Sequence, residues 1–154
     1  MQSKTDKSYT LNDNPHEVET PETEQLKTLF KSVKTIAIVG ISNKLHRDSY
    51  NVGHYLQQAG YKIIPVNPAY DTILNEKSYP NLKSIPETVD LVDVFRKPEH
   101  VPDVVNEALT IGPKAIWLQL GTGDHPELSK KAEKEGIKFI QNQCIKVVHQ
   151  SLAL

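Results

Sequence analysis

The segment 40–49 holds the residues best suited to binding chemistry, because a glycine, several polar side chains and an arginine follow an apolar run. Gly40 comes directly after TIAIV (35–39), and a glycine there lets the backbone approach a ligand or turn sharply. The next helix presents free N–H groups and the positive end of its dipole to the same space. This segment could therefore hold phosphate groups, although a tight strand exit would also explain Gly40. The polar side chains are Ser42, Asn43, Arg47 and Ser49, of which Ser49 is expected to cap the helix.

The same region departs from a nicotinamide site at two points. The fingerprint Gly-x-Gly-x-x-Gly is not present, since Ser42 stands where the second glycine would be. A nicotinamide cofactor also needs an acid about 20 residues further on, at the end of the second strand. That strand ends Val66-Asn67-Pro68, and the nearest acid is Asp71 beyond the proline. NAD is therefore disfavoured, whereas NADP stays open because a cationic loop could meet its 2′-phosphate.

Short apolar runs alternate with amphipathic stretches, which predicts an α/β fold with a parallel sheet. We expect a doubly wound sheet of order 3-2-1-4-5 with right-handed crossovers and helices on both faces. The order would reverse between strands 1 and 4, which places a crevice beside Gly40 and Gln119–Gly121. The predicted strands are 35–39, 61–66, 89–95, 115–120 and 137–140. The predicted helices are one beginning near Pro21 with Thr20 as its cap, then 50–59, 98–110 and 126–135, the last capped by Asp124.

Composition indicates one folded domain with an acidic tail. The chain has 154 residues, with 18 Lys+Arg against 19 Asp+Glu, so no basic stripe for nucleic acid is expected. Residues 1–25 carry two lysines and six carboxylates, which leaves a net charge of +3 on the rest of the chain. We expect residues 1–20 to be a poorly ordered polar tail and residues 21–154 to form a single domain. No apolar run approaches the roughly 18 residues of a spanning helix, so a cytoplasmic protein without membrane contact is expected.

Several segments resemble the small stand-alone CoA-binding-domain proteins, relatives of the CoA-binding domain in succinyl-CoA synthetase α chains. The resemblance covers about residues 24–150 and implies a Rossmann-like fold that binds coenzyme A at the switch-point crevice. Coenzyme A carries a pyrophosphate and a 3′-phosphate, which cations and amide donors serve better than a carboxylate. The matching segments are AIVGIS (37–42), RDSYNVGHYL (47–56), YKIIPVNPAYDTILNEKSYPNL (61–82), VDLVDVFRKPEHVP (89–102), IWLQLG (116–121) and NQCIKVVH (142–149).

The resemblance also implies which residues bind the ligand. Phe95 could instead be a core residue, and Asn67-Pro68 could be only a turn. Four groups of residues are implied: a phosphate-facing turn of Gly40, Ser42, Asn43, Arg47 and Ser49; an adenosine side of Val66, Asn67 and Pro68; a nucleotide border of Phe95 and Arg96; and a floor of Gln119, Leu120 and Gly121.

The expected function is to hold coenzyme A or an acyl-CoA without catalysis. The related synthetases use a phosphorylated histidine from a second domain, for which 154 residues leave no room. Two alternatives stay open: an NADP-linked or acyl-CoA-acting enzyme subunit that needs a partner chain, and a nucleotide-responsive regulator. The sequence does not indicate a protein partner. If Cys144 were exposed near Lys146 and His149, it could exchange with a CoA disulfide, although a buried cysteine is commoner.

Overall fold

A computed structural model describes residues 20–154 of the chain. They divide between a larger compact unit, residues 33–147, and a smaller one that includes the described residues 20–32 and 148–154. The predicted tail lies outside the described residues except for Thr20. Helix α1 (Pro21–Ser32) begins where it was predicted. The Thr23 backbone N–H donates to Thr20 Oγ1 over 3.0 Å, so Thr20 caps the helix as expected.

The larger unit is built on a parallel sheet of five short strands. Their apolar sequences are nearly continuous, as expected for strands covered on both faces. The α/β class and the parallel sheet are therefore confirmed. The strands are β1 (Thr35–Val39), β2 (Lys62–Val66), β3 (Leu91–Val94), β4 (Ala115–Leu118) and β5 (Lys138–Ile140).

The predicted strand order, 3-2-1-4-5, is wrong. The observed order is β2-β1-β3-β4-β5, so the third strand lies against β1 on the side away from β2. In register, Ile38 of β1 pairs with Pro65 of β2 and with Asp93 of β3. The order therefore reverses between β1 and β3, and the switch point lies beside Phe95 as well as Gly40.

Backbone pairing on both sides of β1 explains this order. The Asp90 carboxylate, directly before β3, accepts hydrogen bonds from the backbone N–H groups of Lys34 (2.7 Å) and Thr35 (3.2 Å) at the start of β1. On the far side of β2, Tyr79 forms a bridge with Val66. The segment between β2 and β3 thus covers the outer side of β2, and β3 pairs with the free side of β1. Apolar periodicity does not report which side of a strand is free.

Helices cover both faces of the sheet, as expected. On one face, Val105 of α3 and Ala132 of α4 join Leu118 in a buried cluster. On the other face, α2 packs closely, since a methyl group at Gly53 would lie 2.7 Å from Ile41 Cδ1 and 3.4 Å from Ile38 Cδ1. The helices of the larger unit are α2 (Asp48–Gln58), α3 (Val101–Ile111) and α4 (Pro126–Lys134). A fifth helix, α5 (Ile145–Leu152), begins in the larger unit and ends in the smaller one.

Some local predictions need correction. Helix α2 begins at Asp48, and its N-cap is Arg47 with an extended backbone and no side-chain cap. Ser49 is therefore not the cap. Its hydroxyl instead accepts a hydrogen bond from the Ser42 backbone N–H over 2.9 Å, which ties the preceding loop to the helix. Helix α4 is capped by His125 without a side-chain hydrogen bond, not by Asp124.

Helix α5 and a small hairpin are absent from the predictions. The hairpin pairs Thr72–Ile73 with Glu76–Lys77 through Leu74 and Asn75, both in the left-handed region with φ of 56° and 62°. Leu74 is buried, and its carbonyl accepts a hydrogen bond from Gln57 Nε2 over 3.0 Å. Packing therefore holds a turn that its sequence does not favour.

Gly40 lies where β1 and β3 come closest at the switch point. Its φ is +87°, and its N–H donates to the Val66 carbonyl over 2.9 Å. The Phe95 N–H donates to the Val39 carbonyl over 2.8 Å. A Cβ atom at Gly40 would overlap with the Phe95 carbonyl oxygen and lie 3.0 Å from Arg96 Cδ. Only glycine fits both the dihedral angle and the space.

Asp93 is fully buried in the middle of the sheet, between Ile38 of β1 and Trp117 of β4. Neither carboxyl oxygen has a hydrogen-bond partner among the described residues. Burial disfavours the charged form and raises the pKa of this carboxyl well above its ordinary 3.8, and the nearby Val94 N–H offsets this rise only in part. The carboxyl is therefore held as the neutral acid over a wider pH range than in the unfolded chain.

We predict that Gly40→Ala lowers the free energy of unfolding by about 3 kcal/mol or more, because strain and backbone overlap add. Gly136→Ala is the matched control, since Gly136 also has a positive φ (+75°) but faces open space. That control should cost only about 1 kcal/mol. Urea unfolding of both variants measures the difference, and equal losses would contradict the close approach at Gly40.

We predict that Asp93→Asn becomes increasingly stabilising, relative to the unsubstituted chain, as the pH rises. The pKa of Asp93 is higher in the folded chain than its value of 3.8 in the unfolded chain, so the neutral acid contributes to the free energy of unfolding. This contribution has its full size at pH values below 3.8. The contribution is lost as the pH rises through the folded pKa, by at most about 1.4 kcal/mol per pH unit. Urea unfolding at about pH 4, 6 and 8 tests this. Asp103→Asn on the exposed side of α3 is the control, and a pH-independent difference for Asp93→Asn would refute the assignment.

Candidate functional site

A cavity of about 800 Å³ opens at the carboxyl ends of β1, β2, β3 and β4. This is the edge at which open α/β sheets bind ligands at their switch point. Four walls surround the cavity, each from the loop that follows one of these strands. The lining residues are Val39, Gly40, Ser42, Arg47, Asp48, Ser49, Val66, Asn67, Pro68, Pro80, Phe95, Arg96, Lys97, Pro98, His100, Leu120, Gly121 and Thr122.

The first wall is the turn after β1 together with the start of α2. Besides the bond from Ser42 to Ser49, the Lys44 N–H donates to Ser42 Oγ over 3.0 Å. The Arg47 N–H donates to the Lys44 carbonyl over 3.1 Å. These bonds fold the loop against the helix start. Because no side chain caps α2, the first-turn N–H groups remain available to a ligand in the cavity.

The second wall follows β2, where Asn67 has a structural task. Its Nδ2 donates to the Ile41 carbonyl over 2.9 Å, and its Oδ1 accepts from the Ala69 N–H over 2.9 Å. The amide therefore ties the β1 turn to the end of β2. Val66 and Pro68 add apolar surface on either side of it. No carboxylate stands at this strand end, so the ribose clamp of nicotinamide sites is missing here.

The third wall follows β3 and gives the cavity most of its charge. Phe95 and Arg96 are half-buried, and Lys97 is exposed. With Arg47 across the cavity, three permanent cations face one carboxylate, that of Asp48. None of these cations forms an ion pair with any residue between 20 and 154. An anionic ligand would therefore meet uncompensated positive charge.

The fourth wall is the turn after β4. Leu120 lies at the rim of the cavity and is 63% exposed. The Thr122 hydroxyl donates a hydrogen bond to the Gln119 carbonyl over 2.8 Å, which fixes the Thr122 side chain. Gln119 itself is buried behind this wall. Its Oε1 accepts a hydrogen bond from the Ile145 N–H over 3.1 Å, so it anchors the start of α5.

The cavity brings together eleven of the thirteen residues that the sequence singled out. The two others lie elsewhere. Gln119 does not floor the crevice, since its side chain is used behind it. Asn43 is exposed and lines a separate hollow of about 370 Å³ with Tyr50 and His54, because the chain turns between Ser42 and Asn43.

The sequence analysis missed Lys97 and His100 in the third wall, together with Asp48, Thr122 and three apolar lining residues. Lys97 and His100 directly follow Phe95-Arg96 in the segment FRKPEH. The resemblance implied only Phe95 and Arg96 of this segment, and the predicted strand order gave no reason to extend the site to its neighbours, because it separated the end of the third strand from Gly40. With β3 beside β1, this whole segment becomes a wall of the cavity.

Other candidate features lie outside this site. Cys144 is partly exposed, directly precedes α5 and does not line the cavity. Within residues 20–154, no group of three or more His, Cys, Asp or Glu side chains is arranged to hold a metal ion. None of the helices in this part of the chain is long and apolar enough to cross a membrane.

Solved structures share this architecture. A hypothetical protein from Pyrococcus horikoshii has a TM-score of 0.81 and 33% identity, over 94% of this chain and 99% of that one. A Thermus thermophilus protein has a TM-score of 0.80 and 33% identity, over 84% of this chain and 98% of that one. The Rossmann-like assignment agrees with these similarities.

Sequence relatives show which family this is. The Bacillus subtilis protein YneT is 36% identical over 132 residues, which are 86% of this chain and 97% of YneT. The ADP-forming acetate–CoA ligase II of Archaeoglobus fulgidus is 30% identical over 125 residues, which are 79% of this chain but only 18% of the ligase. The family model of the CoA binding domain matches residues 34–150. The chain therefore belongs to the CoA-binding domain family, with relatives in the CoA-binding region of ADP-forming acetate–CoA ligases.

Proposed function

We propose that this chain binds coenzyme A or an acyl-CoA in the switch-point cavity and catalyses no reaction of its own. The observation that carries the proposal is a set of three cations, Arg47, Arg96 and Lys97, that surround a cavity of about 800 Å³ and have no ion-pair partner among residues 20–154. A ligand with several phosphates neutralises such a site, and charge-assisted hydrogen bonds to phosphate are among the strongest in proteins. Family membership supports the same ligand.

The walls suit different parts of the ligand. The turn at Gly40 and the start of α2 offer backbone N–H groups and Arg47 to phosphate oxygens, and the absence of a side chain at Gly40 leaves room for close approach. The adenosine would lie against Val66 and Pro68, with Phe95 at its border. In this proposal Asn67 positions the wall, since both ends of its amide are already bonded.

The lack of catalysis is also part of the proposal. The two serine hydroxyls of the cavity each accept a backbone N–H within the loop that they hold together. Within residues 20–154, neither hydroxyl has a hydrogen bond to a histidine or a carboxylate, which a nucleophilic serine would need. The chain spans 18% of the Archaeoglobus ligase, so that ligase activity belongs to a much longer protein.

Titration calorimetry with coenzyme A, dephospho-CoA, NAD and NADP in parallel tests this function. We expect coenzyme A to bind most tightly, with micromolar affinity, and dephospho-CoA to bind more weakly because it lacks the 3′-phosphate. Binding of NADP without any heat from coenzyme A would overturn the proposal and favour a hydride-transfer enzyme. Turnover of an acyl-CoA by the isolated chain would refute the proposal that the chain catalyses no reaction, and it would leave the proposal of coenzyme A binding intact.

We predict that Arg47→Ala weakens coenzyme A binding about tenfold or more, the usual scale for a hydrogen bond to a charged group. Most of the preference for coenzyme A over dephospho-CoA should disappear with it. The fold should survive, because the Arg47 side chain makes no cap bond. Lys44→Ala is the matched control, since Lys44 is an exposed cation of the same loop that does not line the cavity. Equal effects of the two substitutions would indicate long-range charge rather than contact.

A further inference from the structure

His100 is a titratable side chain of the cavity to which the sequence analysis assigns no role. It is exposed, lines the third wall and ends the 3₁₀ turn Pro98–His100. Its ring makes no hydrogen bond or ion pair with any residue between 20 and 154. The imidazole is thus available to a ligand.

The backbone that carries His100 is well fixed. The His100 N–H donates to the Lys97 carbonyl over 2.9 Å, and the next residue, Val101, is fully buried at the start of α3. Pro98 packs under the fourth wall, since a methyl group at Gly123 would lie 3.1 Å from Pro98 Cβ. The side chain therefore projects from a rigid turn, so a contact made there costs little ordering of the backbone.

The charged groups that line the cavity together with His100 carry a net positive charge. From its own segment come Arg96 and Lys97, and from the start of α2 come Arg47 and Asp48. The ends of β2 and β4 contribute only uncharged lining residues. Three further groups lie near its turn: Glu99 beside it in the chain, Asp103 one turn along α3, and His125, whose Nε2 donates to the Thr122 carbonyl and which adjoins Gly123 opposite Pro98.

We propose that His100 contacts a phosphate group of the bound ligand and makes ligand affinity increase as the pH falls from 8 to 6. The inference rests on the proposed coenzyme A function and extends it to pH-dependent binding. Imidazole is the type of side chain that changes charge in this range, whereas guanidinium and ammonium groups do not. A cationic His100 would give the cavity a fourth positive group beside Arg47, Arg96 and Lys97.

The test is calorimetric titration of coenzyme A into the unsubstituted chain and His100→Asn at about pH 6 and 8. The ratio of the two dissociation constants is the readout, because ionisation of free coenzyme A near pH 6 is common to both titrations and cancels. We expect His100→Asn to bind about three- to tenfold more weakly at the lower pH and equally at the higher one. His46→Asn is the matched control, since His46 is exposed in the loop before α2 and does not line the cavity.

Two further arms separate the outcomes. Dephospho-CoA has the pyrophosphate but lacks the 3′-phosphate. If the ratio of dissociation constants still depends on pH with dephospho-CoA, His100 contacts the pyrophosphate. If the pH dependence disappears with dephospho-CoA, His100 contacts the 3′-phosphate. A ratio that does not change with pH, or an equal effect of His46→Asn, overturns the inference while leaving coenzyme A binding intact. Absence of coenzyme A binding at both pH values overturns the proposed function and this inference together.

Discussion

The close approach of the backbone at Gly40 and Phe95 is the constraint on which the rest of the site depends. It exists because β3 pairs with β1, and the Asp90 carboxylate holds the starts of these strands together at the opposite end of the sheet. With the strand ends in contact, the two loops that follow them must diverge to opposite sides. The cavity is the space between those loops, so its position follows from a backbone contact rather than from any binding residue.

Several polar side chains near the cavity hold loops in place instead of facing a ligand. Asn67 joins the β1 turn to the end of β2, and Gln119 joins the end of β4 to the start of α5. The hydroxyl of Ser49 closes the loop before α2. Such bonds satisfy backbone groups that loops would otherwise leave unpaired. The cations of the cavity have no ion-pair partner among residues 20–154, so the site has its positive charge before any ligand arrives.

Asp93 shows that the sheet carries a polar group where packing alone would favour an apolar one. Its position between Ile38 and Trp117 gives the carboxyl no hydrogen-bond partner among the described residues, and burial keeps it protonated over an extended pH range. It lies two residues before Phe95, beneath the cavity. Burying this carboxyl without a hydrogen-bond partner costs free energy of folding. The carboxyl belongs to β3, the strand that positions the third wall.

Local sequence properties determined the strands, most helices and the chemistry of the first turn, because apolar periodicity and the freedom of glycine at Gly40 act over a few residues. They also placed most of the cavity residues at strand ends. Only the tertiary structure decided the strand order, since Tyr79 pairs with Val66 on the outer side of β2 and β3 pairs with the remaining free side of β1. The same decision brought Lys97 and His100 to the cavity and turned Asn43 and Gln119 away from it. The pairing of strands that are distant in the sequence does not affect the local hydrophobic periodicity. Which loops lie next to each other could therefore be determined only from the folded chain.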